Sequence, residues 1–348
     1  MPEIIQDEVG SFHNYLSEGC KFCKIGAKMV LFVTGICGRE CFYCPISEDR
    51  KKDVTYANER RVTSDEDVIS EARQMDALGT GITGGEPLLK PGRVLHYIRL
   101  LKSEFGSGHH IHLYTSIAPD KELLVALASA ELDEIRFHPS CELWDSLEHT
   151  PFAVSIKTAI ELGMSAGIEI PAMEGAEGVL PLLGNVGGFL NLNELEFSDT
   201  NADAMHLRGF ELVNDMSNAV ASSRACAEKL SVHSPKVHFC SSRYKDAVQL
   251  KKRLLRIANR TARAFDGITD EGTIVIGMIE NGDHDAIIGV FRELEVPEDM
   301  FKVIGNRIEI AWWILEDIAK NLKGTGSKLS IIERYPFENG LVVEMMPI

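Results

Sequence analysis

Short apolar runs alternating with stretches of helical periodicity constrain this chain more than any other feature. KMVLFVTG (28–35), GTGITG (79–84), HIHLYTS (110–116), EIRFHP (134–139), GIEIPAM (167–173) and ELEFSDTN (194–201) read as six strands. Between the first two, DEDVISEARQMDALG (65–79) sets Val68, Ile69, Ala72, Met75 and Leu78 at three- to four-residue spacing. That is the stripe of an amphipathic helix, and Gly79 stops it. RVLHYIRLLKSEFG (93–106), KELLVALASAEL (121–132), FAVSIKTAIELGM (152–164) and GVLPLLGNVGGFL (178–190) supply the other helices. Helical crossovers between strands imply a parallel sheet. Six units fall short of a closed eightfold barrel. The expected fold class is therefore α/β, a partial (β/α)6 TIM-like barrel with its site at the strand C-termini.

Beyond residue 235 the pattern changes. VHFC (237–240) leads into RYKDAVQLKKRLLRIANRTAR (243–263), eight cations against one acid. TIVIGMIEN (273–281), KLSIIERYPF (328–337) and GLVVEMMPI (340–348) then read as strands, with helices expected around 284–294 and 298–322. The turn ENG (338–340) would join the last two strands as a hairpin. Four segments follow: 1–27, an N-terminal segment with a cysteine knuckle; 28–235, the barrel; 236–264, a linking basic helix; and 265–348, a small α+β domain.

Charge and cysteine content narrow the function. Acids outnumber bases by 52 to 36, a net charge of −16, and such a field repels polyanions unless a local basic patch overrides it. The start, MPEIIQDEVG, has no apolar h-region, and no run approaches the ~20 apolar residues of a membrane span. A cytoplasmic protein without membrane association is expected. Of eight cysteines, Cys20, Cys23, Cys37, Cys41 and Cys44 fall within 25 residues. In a chain of this length that density points to metal or redox chemistry rather than a disulfide framework.

Cys37-Gly-Arg-Glu-Cys41-Phe-Tyr-Cys44 follows the first strand directly. Three thiolates at C-x3-C-x2-C can hold a [4Fe–4S] cubane and leave one iron open. By spacing alone a zinc knuckle is the alternative. Gly84-Gly85-Glu86-Pro87 ends the second strand, about 40 residues on. Together these motifs resemble the radical S-adenosylmethionine (SAM) superfamily, over roughly residues 28–200. The whole chain looks most like uncharacterised proteins related to pyruvate formate-lyase activating enzymes.

The resemblance implies that Cys37, Cys41 and Cys44 ligate the cluster while SAM chelates the fourth iron. It implies that Tyr43 lies against the adenine and that Gly84 and Gly85 admit the ligand. Glu86 would accept from the SAM ammonium, Pro87 would fix the turn, and Ser116 would meet the ribose. Gly167-Ile-Glu-Ile-Pro-Ala-Met-Glu174 departs from the family's G-x-I-x-G-x-x-E, with Glu169 and Pro171 at altered places; Glu174 remains a candidate contact. His138, in RFHPS, either faces the mouth or turns to the helices. The implied activity is reductive cleavage of SAM to a 5′-deoxyadenosyl radical, which takes hydrogen from a peptide, a cofactor precursor or RNA. A flavodoxin or ferredoxin would supply the electron. The alternative is a non-catalytic iron–sulfur electron carrier or zinc-stapled scaffold, which leaves Gly84–Pro87 without a role.

Two further features carry chemistry. Gly19-Cys-Lys-Phe-Cys-Lys-Ile-Gly26 is a two-thiolate knuckle, and Cys240 is the best third ligand, with His238, His13 or Cys226 as fourth. Zinc and an iron–sulfur cluster both suit such a set. The basic run 243–263 is either a solvated, ion-paired face or a dock for RNA or another anion.

Overall fold

The computed structural model describes residues 3–7, 9–337 and 339–348. They form two compact units, one of residues up to 73 with 77–249, the other of 74–76 with 250–348. The first unit is the partial barrel. Its parallel strands are β1 (Lys28–Phe32), β2 (Gly79–Thr83), β3 (His110–Thr115), β4 (Glu134–Phe137), β5 (Ser165–Pro171), β6 (Phe189–Asn193) and β7 (Val237–Cys240). They stand side by side in chain order.

Two details differ from the sequence expectation. The sixth strand is FLNLN, not ELEFSDTN: Gly187, at φ 71, ends the preceding helix after Val186 and frees Phe189 to enter the sheet. Glu196 instead makes an isolated bridge to Ala219. VHFC adds a seventh strand, paired in parallel with β6. The sheet does not close on itself. Tyr56–Ala57 covers the β1 edge antiparallel, and Phe12–His13 covers β7 in the same way, at His238↔His13 and Phe239↔Phe12.

Alternation sorts each strand into two faces. Met29, Leu31, Ile82, Ile111, Leu113, Ile135, Phe137, Ile168, Ile170, Leu190 and Leu192 are fully buried. The interior face is polar: His110, His112 and Tyr114, then Glu134 and Arg136, Glu169, Asn191 and Asn193, and finally His238 and Cys240. Helix α1 (Glu18–Lys24) packs against β1, β2 and β3 and floors the barrel. Ser17 caps it, and Ser17 Oγ and Gly19 N donate to the two oxygens of Glu134 at 3.0 and 3.1 Å. A side chain at Gly19 would meet Arg136 Nη2 at 2.6 Å, so a larger residue there would shift the Arg136 guanidinium.

The histidines near this floor set a pH dependence. Burial, reinforced by the Lys28 ammonium, holds His109 and His110 down at about 4. An unfolded chain protonates both near pH 6.5 while the folded chain does not until about 4. Stability therefore falls as pH drops through that window. Urea midpoints of the metal-free protein should be lower near pH 5 than near pH 7.5. His109→Gln, which keeps a partner for Thr80, should reduce the difference; a midpoint that rises on acidification contradicts the assignment.

The second unit is α+β. It contains α2 (Lys251–Thr261), β8 (Ile274–Glu280), α3 (His284–Glu293), β9 (Phe301–Ile304), β10 (Arg307–Ile310), α4 (Trp312–Ile318), β11 (Lys328–Arg334) and β12 (Val342–Pro347). The antiparallel order is β9-β10-β8-β11-β12, with Gly267–Ile268 also on β8. Ile279, Ile308 and Ile310 pack with Ile287, Phe291 and Leu315 of α3 and α4, while Ile276, Met278 and Ile332 pack with Ala258 of α2. The helix expected over 298–322 is mostly a hairpin. FKVI and RIEI alternate with period two around Gly305, at φ 59, and only Trp312–Ile318 is α-helical. Glu338, in the expected ENG turn, lies outside the described residues.

The basic run is not one helix. A short turn of helix (Ser242–Tyr244) passes through a π-helical segment (Lys245–Leu250) into α2. Its cations meet carboxylates: Lys245 with Glu196 at 3.1 Å, Lys251 with Glu271 at 2.8 Å, Arg256 with Asp76 at 2.8 Å, and Arg263 with Asp266 and Glu309. These four of its eight cations are thus ion-paired. No helix among the described residues is long and apolar enough to cross a membrane.

Candidate active site

At the C-terminal ends of the barrel strands a cavity of about 770 Å³ is lined by Cys37, Cys41, Cys44, Tyr43, Gly84, Gly85, Pro87 and Ser116. Its far wall carries Tyr114, His138, Asn193, Glu194, Glu196 and Lys245. The cysteine loop and the Gly84–Pro87 loop are laced together at the base of this cavity. Gly85 N donates to Thr34 O at 2.8 Å and Glu86 N to Ile36 O at 2.9 Å. A Cβ on Gly84 would stand 2.4 Å from Thr34 O, and one on Gly85 2.6 Å from the carbonyls of Gly35 and Ile36. Glycine is needed here because the chain's own backbone approaches, and both residues still border the cavity.

Glu86 is 1 % exposed. Its carboxylate accepts from Leu88 N at 2.9 Å, Thr115 Oγ1 at 2.9 Å, Ser116 N at 2.5 Å and Ser116 Oγ at 2.7 Å. Glu86 thus ties the end of β2 to the end of β3, and Ser116 is its partner. Pro87 opens the one-turn helix that Glu86 caps. Glu174 is exposed in the turn after β5 and is not part of the cavity lining.

Tyr43 is held from both ends. Its hydroxyl lies 3.0 Å from His138 Nε2, and its carbonyl accepts from Asn201 Nδ2 at 3.1 Å. His138 Nδ1 lies 2.7 Å from the Glu169 carbonyl and can only donate there, which leaves Nε2 to accept from Tyr43. The protonation states agree: burial lowers the His138 imidazole and, with the Cys41 charge, raises the Tyr43 phenol. Cys44 O accepts from Thr200 Oγ1 at 3.1 Å, and Phe42 stacks on Phe210. The loop is therefore fixed before any ligand arrives.

Sequence reasoning missed the polar network beneath this wall. Glu169 accepts from Arg136 Nη1 at 2.7 Å, Asn191 Nδ2 at 3.0 Å and Asn193 Nδ2 at 2.9 Å. The signal was available, since Glu134, Arg136 and His138 alternate within a strand buried on both faces. Lys245 was hidden in the basic run.

The donor set fits an iron–sulfur cluster. Three soft thiols on one anchored loop face one cavity, and the cavity leaves room beside them. Among the described residues no three His, Cys, Asp or Glu side chains stand close enough to hold a single metal ion, these cysteines included. The thiol ligands of a cubane bind separate irons and need not meet at one point. A family model described as the radical SAM superfamily matches residues 31–140, spanning the cysteine loop and Gly84–Pro87. The chain belongs to that superfamily and is a radical SAM enzyme, with a [4Fe–4S] cluster and SAM as its cofactors. Its similarity extends to a protein of Methanocaldococcus jannaschii provisionally named a glycyl-radical enzyme activating enzyme. The two are 39 % identical over 96 % of this chain and 93 % of the relative. Residues 272–348 match a family described as a domain of unknown function.

Proposed function

We propose that this radical SAM enzyme abstracts hydrogen from a glycine Cα of a partner protein, as an activase of glycyl-radical enzymes. The end-to-end correspondence with the relative carries this reading. An activating enzyme of the simplest kind needs no C-terminal domain of this size, but the similarity runs through both units, so the domain belongs to the shared plan. The cavity supports the same reading. Its wall mixes Arg39, Lys51 and Lys245 with Glu40, Glu194 and Glu196, and adds Asn193 and Thr200. A peptide backbone, with alternating donors and acceptors and no net charge, suits such a wall better than a polyanion does. The net charge of −16 and the ion pairing of residues 243–263 also disfavour RNA.

Bound SAM and the reduced cluster supply the hydrogen-abstracting radical. Cys37, Cys41 and Cys44 would hold the cluster, and Tyr43, braced by His138, would keep the ligand's aromatic end in place. The electron would come from a small redox protein such as a flavodoxin or ferredoxin.

The test uses a glycyl-radical enzyme grown on α-dideuterated glycine and mixed anaerobically with the reconstituted protein, SAM and reductant. Deuterium in the 5′-deoxyadenosine, with a glycyl radical visible by electron paramagnetic resonance, is expected. Cleavage of SAM with all deuterium left in the partner would remove this reading and keep the superfamily assignment.

A further inference from the structure

Three cysteines that the active site does not use gather at the floor of the barrel. Cys20 and Cys23 are three residues apart on α1, a spacing that puts both on one helix face. Cys20 is buried, and its Sγ lies 3.5 Å from both Arg136 Nη2 and Asn191 Nδ2. Asn191 is the register partner of His238. Partners on neighbouring strands leave the sheet on the same side, about 4.8 Å apart. Cys240, two residues along β7, turns to that side as well.

A second, independent observation lies around them. His238 is 9 % exposed, and its Nδ1 has no hydrogen-bond partner; the same holds for His112 Nδ1 and Asn191 Oδ1. His112 Nδ1 is 2.7 Å from the place of a Cβ on Gly19, next to Cys20. Buried lone pairs without partners are costly; Asn191 touches Cys20, and His238 is its register partner on the neighbouring strand. Of the other ligands suggested by the sequence, Cys226 is spoken for, donating to Met173 O at 3.1 Å. His13 faces His238 across the strand pair at a ring distance of 6.1 Å.

We infer that Cys20, Cys23 and Cys240 hold a second, thiolate-bound metal centre, with His238 as the fourth donor. The chemistry is that of an iron–sulfur cluster, whose separate irons do not require the donors to meet at one point. No three of these donors stand close enough to share a single ion, as a lone zinc would require. The centre ties α1 to β7 and so closes the open side of the barrel, and its binding energy is folding energy.

The experiment uses the full chain with Cys37→Ala, Cys41→Ala and Cys44→Ala, purified anaerobically. One arm is reconstituted with iron and sulfide, the other with zinc alone. One iron–sulfur centre per chain should survive desalting in the first arm, and no zinc in the second. Adding Cys240→Ala should remove it. A second measurement covers the case in which those variants fail to fold. In the reconstituted wild type, thiol alkylation followed by mass spectrometry should show Cys20, Cys23 and Cys240 becoming reactive together when a chelator is added, with Cys141 and Cys226 unchanged. A folded triple variant that retains no iron–sulfur centre, or three thiols indifferent to the chelator, would overturn the inference. Neither readout depends on SAM.

Discussion

Alanine at Cys37, Cys41 or Cys44 reduces 5′-deoxyadenosine formation to the background of cluster-free protein. Each variant leaves only two thiols on the loop, too few to hold a cubane at three corners and leave the fourth iron open. The loss should be chemical rather than conformational. Backbone and neighbouring side chains hold the loop, through Gly85 N to Thr34 O, Glu86 N to Ile36 O, Asn201 to Tyr43 O and Thr200 to Cys44 O. Metal-free wild type and variants should accordingly unfold at the same urea concentration. Cys226→Ala, on the helix Ser223–His233, should retain full activity. Substantial turnover by any one of the three loop variants would mean that the cluster is held elsewhere.

Arg136→Ala should be the most destabilising single change in the barrel. Burial pushes the carboxyls of Glu134 and Glu169 up, but the Arg136 guanidinium, together with the hydrogen bonds and other charges around them, holds both below the usual range. Its Nε meets Glu134 at 2.6 Å, and its Nη1 meets Glu169 at 2.7 Å and Tyr114 at 2.8 Å. Breaking a buried pair by removing one partner costs about 3–5 kcal/mol, because the remaining charge is stranded. For a unit of this size that is a fall of roughly 10 °C in melting temperature. Arg136→Met combined with Glu134→Gln and Glu169→Gln removes all three charges and should regain most of the loss. A melting temperature within a degree or two of wild type for Arg136→Ala alone would show that the network is not under electrostatic load. Because the Glu169 carbonyl orients His138 and so Tyr43, SAM affinity should fall with stability.

The class of fold and the identity of the cluster loop were legible because each rests on local pattern. Strand-then-helix alternation survives in any window, and C-x3-C-x2-C needs only eight residues. What remained hidden is non-local. FLNLN lost its place to ELEF because both alternate, and only Gly187 decides between them. The hairpin at 301–310 was submerged in a longer stretch of mixed periodicity. Glu86 shows the limit most clearly. Its position at the end of β2 was evident, but three of its four hydrogen bonds, to Thr115 and Ser116, depend on where β3 ends. Likewise, the glycine pair could be seen to need space, but not that the backbone of Thr34–Ile36 would take it.

The N-terminal strand has a consequence for the order in which the protein is made. Ser241 N donates to Ser11 Oγ, 230 positions back along the chain, and Phe12 stacks on Phe239. At about 5–20 residues per second, roughly 10–50 s separate the synthesis of these partners. Residues 12–13 wait through that interval while β1 to β6 form behind them. Cys37, Cys41 and Cys44 leave the ribosome early in it, in a barrel whose last side has not been translated. The cell thus has a window of tens of seconds in which those thiols can be loaded, or oxidised, before the chain closes over its own floor.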